Sequence, residues 1–352
     1  MELSLNVGYF GPHIANNHEY IKELDDIGIS CIWTAEAYGY DAVTPLSYFA
    51  GITSNLELGA GIMQIPGRTP AMTAMTAVTI DKLSNGRFRL GLGVSGPQVV
   101  EGWHGVQYGK PLLKTREYIK IIRDILNRDE KVTFEGTYYN LPFNGEDATG
   151  LGKPLKLIEE PYRKNIPIYL AAIGPKNIEL SAEITDGWLP FMYSPSKGDE
   201  IFNKYLKVGF DKSQIKDKKK NFEIVATTYA KLCKPEEKET YLQPARQTFA
   251  LYIGGMGAQA GATEFTESVS KSLVSTTLKG CTIEKTEVFK ERVFVMVVYD
   301  ANKAREEAKA VARAEAKKEE ALYSEFKARQ AFDALDQALD RMKGSSSVSA
   351  PE

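Results

Sequence analysis

Four short stretches of this sequence carry residue types that could do chemistry. Residues 87–98, RFRLGLGVSGPQ, hold Gly91-x-Gly93-x-x-Gly96 directly after an apolar run, the glycine spacing of a dinucleotide-binding loop. Residues 171–176, AAIGPK, close another apolar run and open a helical pattern. Free N–H groups at a helix N-terminus suit an anion such as a phosphate, Gly174 lets the backbone approach it, and Lys176 adds a charge. In WTAEAYGYDA, residues 33–42, Glu36 stands at the end of a third apolar run. His104, beside Trp103 in EGWHG, suits either proton transfer or a structural hydrogen bond. Each has a plain alternative. The glycine spacing is a weak signal, AAIGPK is also an ordinary strand-to-helix turn, and Glu36 is also read as a buried acid paired with a basic neighbour.

The elements that must position these residues follow from hydrophobic periodicity. Strand-like runs lie at residues 3–10, 31–35, 56–63, 87–93, 166–172, 187–192 and 222–229. Helical patterns lie between them at 18–27, 69–83, 114–126 and 175–184. The segment 114–126 is strongly amphipathic, with Tyr118, Ile119, Ile121, Ile122 and Ile125 as its apolar positions. Strands alternating with helices imply right-handed βαβ units and a parallel sheet. Seven such units favour an α/β fold of the (β/α)8 TIM-barrel type over an open sheet. An insertion at 130–164 contains VTFEGTYYNLPF, a Gly turn between β-rich runs, and predicts a small hairpin.

That order decides against a nucleotide loop at residues 91–96. Such a loop needs a helix opening at the third glycine and an acid on the next strand about 20 residues on. Here Gly102 and Gly105 interrupt any early helix, and Glu117, 21 residues after Gly96, sits inside the amphipathic helix. In a barrel, glycines at a strand's C-terminal mouth leave room for a planar ligand, and an acid such as Glu36 at a strand end reads as functional.

Composition sets the outer limits. The chain has 352 residues, 43% hydrophobic and 26% charged, enough apolar material for a substantial core. A formal net charge of −2 gives no reason to expect nucleic acid as a partner. Cys31, Cys233 and Cys281 are far apart and form neither a metal spacing nor a disulfide framework. The start, MELSLNVGYF, lacks the charged and apolar regions of a signal peptide, and no run is long enough to span a bilayer, so a cytoplasmic location is expected. Beyond about residue 257 the character changes. Residues 276–299 read as two strands with a polar turn, and residues 301–343 as one long charged helix. Phe332, Leu335, Leu339 and Met342 form a coiled-coil-like stripe late in that helix. The tail at 344–352 is polar and expected to be disordered.

RFRLGLGVSGPQVVEGWHG, with GAGIMQIPGRTPAMTAMTA before it and AAIGPKNIELSAEITDGW after it, resembles the bacterial luciferase-like superfamily, in particular its coenzyme F420 (deazaflavin)-dependent oxidoreductases. The resemblance covers residues 1–257. It implies an oxidoreductase moving a hydride to or from a small organic substrate, with F420 as cofactor, and a homodimer. An FMN-dependent monooxygenase is the alternative. It implies a non-prolyl cis peptide at Gly61–Ile62, with Gln64, Arg68 and Thr69 near the cofactor ring and side chain. Thr69 also reads as an N-cap before Pro70. It implies Gly93, Val94 and Ser95 at the mouth, and Ala172, Gly174, Pro175 and Lys176 at the cofactor phosphate. Glu36 and His104 become the candidate catalytic residues. Relatives carry a His directly after the acid where this chain has Ala37, so a mechanism using that His does not carry over. Tyr38, Asp41 and His13 are expected nearby instead. Phe10, Trp33, Trp103, Trp188 and Phe191 are expected to line an apolar mouth around the ring. No metal site is implied. Residues 258–343 depart from the family pattern. Residues 293–299 are either a replacement eighth strand or part of a foreign segment. In the latter case the chain is an inactive fusion whose long helix is an interaction module.

Overall fold

The computed structural model describes residues 2–191, 193, 198–228, 233, 235–237, 239, 240, 242, 281–289 and 292–299. The chain divides into two units, Met1–Thr228 and Tyr229–Glu352. In the first, seven parallel strands follow the chain in order: β1 (Leu5–Gly8), β2 (Cys31–Thr34), β3 (Glu57–Ala60), β4 (Phe88–Gly93), β5 (Ile168–Ala171), β6 (Gly187–Leu189) and β7 (Glu223–Ile224). The helices between them are α1 (His18–Asp26), α2 (Val43–Ile52), α3 (Pro70–Leu83), α4 (Pro111–Asn127), α5 (Pro175–Ile184) and α6 (Gly198–Lys212).

The sheet curls round on itself. In a flat sheet β4 and β7 would stand three strand spacings apart, roughly 14 Å. Yet Arg89 Nη1 on β4 meets Glu223 Oε2 on β7 at 2.5 Å, and Arg89 also reaches Tyr169 Oη on β5 and Glu57 on β3. Only side chains turned into a common interior can do this. At the two ends of the strand order, Asn6 Nδ2 donates to Thr227 Oγ1 at 3.3 Å. Trp33 also fills the interior, packed edge-on to Tyr169 at 5.5 Å between ring centroids. A Cβ on Gly59 would stand 2.2 Å from the Trp33 ring, so the indole occupies the space that this glycine leaves empty.

The opposite faces of the strands bury Ile32, Leu58, Phe88, Leu90, Leu92 and Ile168 against the helices. Helix α4 shows why the sequence folds this way. Tyr118, Ile119, Ile121, Ile122, Ile125 and Leu126 all lie buried, and Pro111 opens the helix. Arg128, in the left-handed region at φ 54°, ends it. Asn17 caps α1 by accepting from Tyr20 N at 3.1 Å, and Gly28, at φ 80°, follows that helix.

The insertion forms the expected hairpin. Phe134–Glu135 pairs antiparallel with Asn140–Leu141, and the Glu117 carboxylate on α4 accepts from the N–H groups of Thr137, Tyr138 and Tyr139 in its turn. In the second unit β8 (Cys281–Phe289) and β9 (Arg292–Tyr299) form an antiparallel pair, the two strands read at 276–299. The segment considered above for an eighth barrel strand thus has β8 as its hydrogen-bonded neighbour. The long helix at 301–343 and the tail at 344–352 lie outside the described residues.

Candidate active site

Four of the sequence-picked residues meet where β2, β3 and β4 end. Glu36, two residues past β2, is 8% exposed. Its Oε1 accepts from Gln64 N at 2.8 Å and its Oε2 from Ala42 N at 3.1 Å. The Arg68 guanidinium grips both oxygens, Nη2 to Oε2 at 3.1 Å. A carboxylate with two backbone donors and a bidentate arginine is a fixed anion, with its acceptor sites filled. Glu36 thereby anchors the loops after β2 and β3, the pairing of a buried acid with a basic neighbour that its sequence position also allowed.

Gln64 is itself buried, and its Oε1 lies 2.8 Å from His104 Nε2. With the amide oxygen as acceptor, His104 Nε2 carries the hydrogen, and Nδ1 is left as the ring's acceptor. Thr69 caps α3, its Oγ1 accepting from Met72 N at 3.1 Å ahead of Pro70. The Gly61–Ile62 peptide is cis. Met63–Gln64 continues β3 and pairs with Leu92 and Gly93.

The glycines that prompted the nucleotide question serve packing. A Cβ on Gly91 would stand 1.9 Å from the Ala60 carbonyl oxygen, and one on Gly93 would stand 2.6 Å from Ile62 Cδ1. The helix after Gly96 is only Pro97–Val100. Val94 turns its side chain to the outer core, and Ser95 takes a left-handed conformation at φ 57°.

On the β5 side, Gly174 is the extended N-cap of α5, with no side chain capping it and open space where its Cβ would be. Ala172 is buried, and its carbonyl accepts from Trp188 Nε1 at 2.8 Å. Lys176 donates to both Glu179 oxygens at 2.9 Å. Those bonds, with the charges of Lys176 and Lys212, hold the Glu179 carboxyl below its usual range against the pull of burial.

The aromatic lining needs correction. Trp188 packs outward with Ile178, Ala182 and Leu206 under α5 and α6, and Trp33 fills the barrel interior. The exposed apolar rim is instead Tyr9, Phe10, Tyr38, Tyr40, Trp103 and Ile173, all on loops that leave the C-terminal ends of strands. His13 sits between the rings of Phe10 and Tyr40, at 6.2 and 5.7 Å. Asp41 is taken up in turning the chain into α2, accepting from Val43 N and Thr44 N. Phe191 is half-buried after β6.

A family model described as "Luciferase-like monooxygenase" matches residues 2–343. The chain belongs to the luciferase-like family. A protein named as a coenzyme F420-dependent oxidoreductase of Mycobacterium tuberculosis is 46% identical over 260 residues, 74% of each chain. The 5,10-methylenetetrahydromethanopterin reductase of Archaeoglobus fulgidus is 31% identical over 237 residues, covering 67% of this chain and 65% of that protein, just under two thirds of its length. Among solved structures, the coenzyme F420-dependent tetrahydromethanopterin reductase of Methanopyrus kandleri superposes with a TM-score of 0.61 at 21% identity, over 89% of this chain and 91% of that one. The fold is therefore the luciferase-like TIM-barrel type. One participant in this luciferase-like mouth escaped sequence reading. Tyr118 counted as one more apolar position on α4, yet its hydroxyl donates to the Arg68 carbonyl at 3.1 Å. Sequence periodicity cannot tell a phenol from a core ring.

Proposed function

We propose that the chain is a coenzyme F420-dependent oxidoreductase acting on a small organic substrate at the C-terminal mouth of the barrel. The observation that carries this reading is the linked set Arg68–Glu36–Gln64–His104, standing beside an exposed aromatic rim and the uncapped N-terminus of α5. The name of the Mycobacterium tuberculosis relative, and that of an F420-dependent glucose-6-phosphate dehydrogenase 29% identical over 222 residues, support the cofactor. The residues present suit such a group. An open helix N-terminus at Gly174 favours an anion, and exposed aromatic faces favour a planar ring.

When bound, the deazaflavin supplies or accepts a hydride at one ring carbon. This chain's own residues do the rest. The α5 N-terminus, with Lys176, would hold the anionic part of the cofactor, and Ile62 and Gly93 would contact its ring. A carbonyl substrate that gains a hydride at carbon needs a proton at oxygen, and His104 in its doubly protonated form would give that proton from Nδ1 while Nε2–H stays on Gln64. Glu36 holds Arg68 and the Gln64 backbone, so the histidine keeps one orientation. FMN is the rival cofactor on this fold. Half-exposed Met72 and Met75 on α3 support a homodimer through that helix.

The test is turnover of deazaflavin-loaded protein with a panel of aldehydes, ketones, imines and enones. We expect His104→Gln to cut kcat by about 100-fold while cofactor affinity stays within about twofold. Wild-type kcat in His104→Gln removes the proton role, and no cofactor turnover with any substrate class overturns the reading.

A further inference from the structure

Tyr118 lies fully buried in α4, yet its hydroxyl does polar work. It donates to the Arg68 carbonyl at 3.1 Å and stands 2.5 Å from Thr73 Oγ1 on α3. A phenol has one proton. With that proton on the Arg68 carbonyl, the Thr73 hydroxyl must donate to Tyr118 Oη. Arg68 is thus gripped twice, at its carbonyl by Tyr118 and at its guanidinium by Glu36. The next residue, Thr69, caps α3, and its carbonyl accepts from Thr73 N at 3.0 Å. The Tyr118–Thr73 pair therefore closes a small hydrogen-bonded frame around the turn that presents Arg68. Burial pushes the phenol up to about 12, so it remains a neutral donor over the ordinary pH range.

We propose that Tyr118, together with Thr73, is a positioning residue for the mouth, setting Arg68 so that Glu36, Gln64 and His104 stand in register. It acts through Arg68 and needs no contact with substrate or cofactor. The sequence of contacts is continuous. Arg68 orients the Glu36 carboxylate, Glu36 Oε1 holds Gln64 N, and Gln64 Oε1 holds His104 Nε2. Loss of the phenol leaves the Arg68 carbonyl and the Thr73 hydroxyl without this partner and frees the turn to shift. Small displacements of this kind, passed to a proton-transferring group, are costly to rate without being costly to binding. The inference rests on the hydride-transfer reading for its kinetic arm only.

The test compares Tyr118→Phe, Thr73→Val and Thr73→Ser in the full chain. One readout is kcat and KM of the deazaflavin-loaded enzyme. The other is the NMR titration of His104 in the protein without cofactor. The chain has only three histidines, so the His104→Gln spectrum assigns the signal. We expect Tyr118→Phe and Thr73→Val to lower kcat about tenfold with cofactor affinity within about twofold, and to move the His104 midpoint. Thr73→Ser, which keeps the hydroxyl, should return both to wild type. Folded Tyr118→Phe and Thr73→Val proteins with wild-type kcat and an unmoved His104 midpoint, differing only in Tm, would overturn the proposal. If the wild type shows no deazaflavin turnover, the functional reading fails, and the His104 titration alone still decides the positioning role.

Discussion

At the scale of single residues, the decisive group is Glu36, because one carboxylate holds an arginine and two backbone donors. Glu36→Gln turns two of those donors against an amide NH2 and strips Arg68 of its counter-charge. Breaking one side of a buried ion pair costs about 3–5 kcal/mol. With Arg68 partly open to solvent, we expect about 2–3 kcal/mol in urea unfolding, and a loss below about 0.5 kcal/mol would contradict the anchor role. Lys218 offers a test far from the mouth. It is buried, donates to the Thr185 carbonyl and lies 5.4 Å from the Phe222 ring centroid. Burial lowers its ammonium to about 8, with Asp186 opposing and Arg123 adding to the effect. An unfolded lysine titrates near 10.4, so between about 8 and 10.4 the unfolded chain holds a proton that the folded chain has released. Stability from this group therefore rises with pH across that window and is lost as pH falls through 8. Unfolding at pH 7 and pH 10 should show wild type gaining about 1–2 kcal/mol relative to Lys218→Met. Equal pH dependence would refute the assignment.

At the scale of elements, β4 explains both what sequence reading could see and what it could not. Its strand followed from the apolar run, its place in a barrel from the alternation of strands and helices, and the failure of the nucleotide-loop test from Gly102, Gly105 and the helical setting of Glu117. What each glycine makes room for did not follow, because Gly91 faces a backbone carbonyl and Gly93 a side-chain tip. The two should behave differently. Gly91→Ala drives a Cβ into the Ala60 carbonyl, which has no rotamer to escape by, and should cost about 3 kcal/mol or more. Gly93→Ala meets only the end of Ile62 and should cost about 1 kcal/mol. Thermal unfolding of the pair checks the order. The same limit hid Tyr118 in an apolar stripe and put Trp188 at the mouth, since one sequence carries no sign of which face of a short strand looks inward. Glu117 makes the companion prediction on α4. Glu117→Ala removes the acceptor for three N–H groups in the insertion turn, and hydrogen exchange at Thr137, Tyr138 and Tyr139 should quicken while the α4 core amides stay protected.

At the scale of the whole molecule, a curled parallel sheet carries a mouth at the C-terminal ends of its strands, with the proposed cofactor site between β3, β4 and α5. The fold class, all seven strands and the cis bond were legible in the sequence, the last only through the family resemblance. The polar network was not, because Glu36–Arg68 and Gln64–His104 pair residues 32 and 40 positions apart. Assembly is open to a direct check. If α3 faces a second copy, Met75→Glu should turn a dimer into a monomer in sedimentation, and an unchanged dimer would move the interface elsewhere. The mouth is proposed to take a deazaflavin. Titration of the purified protein with oxidised F420 and, separately, with FMN, followed by absorption, tests it most directly. We expect saturable binding of F420 with perturbed bands, weakened at least about tenfold by Arg68→Met, and far weaker binding of FMN. Tight FMN binding with none of F420, or binding of neither, would contradict it.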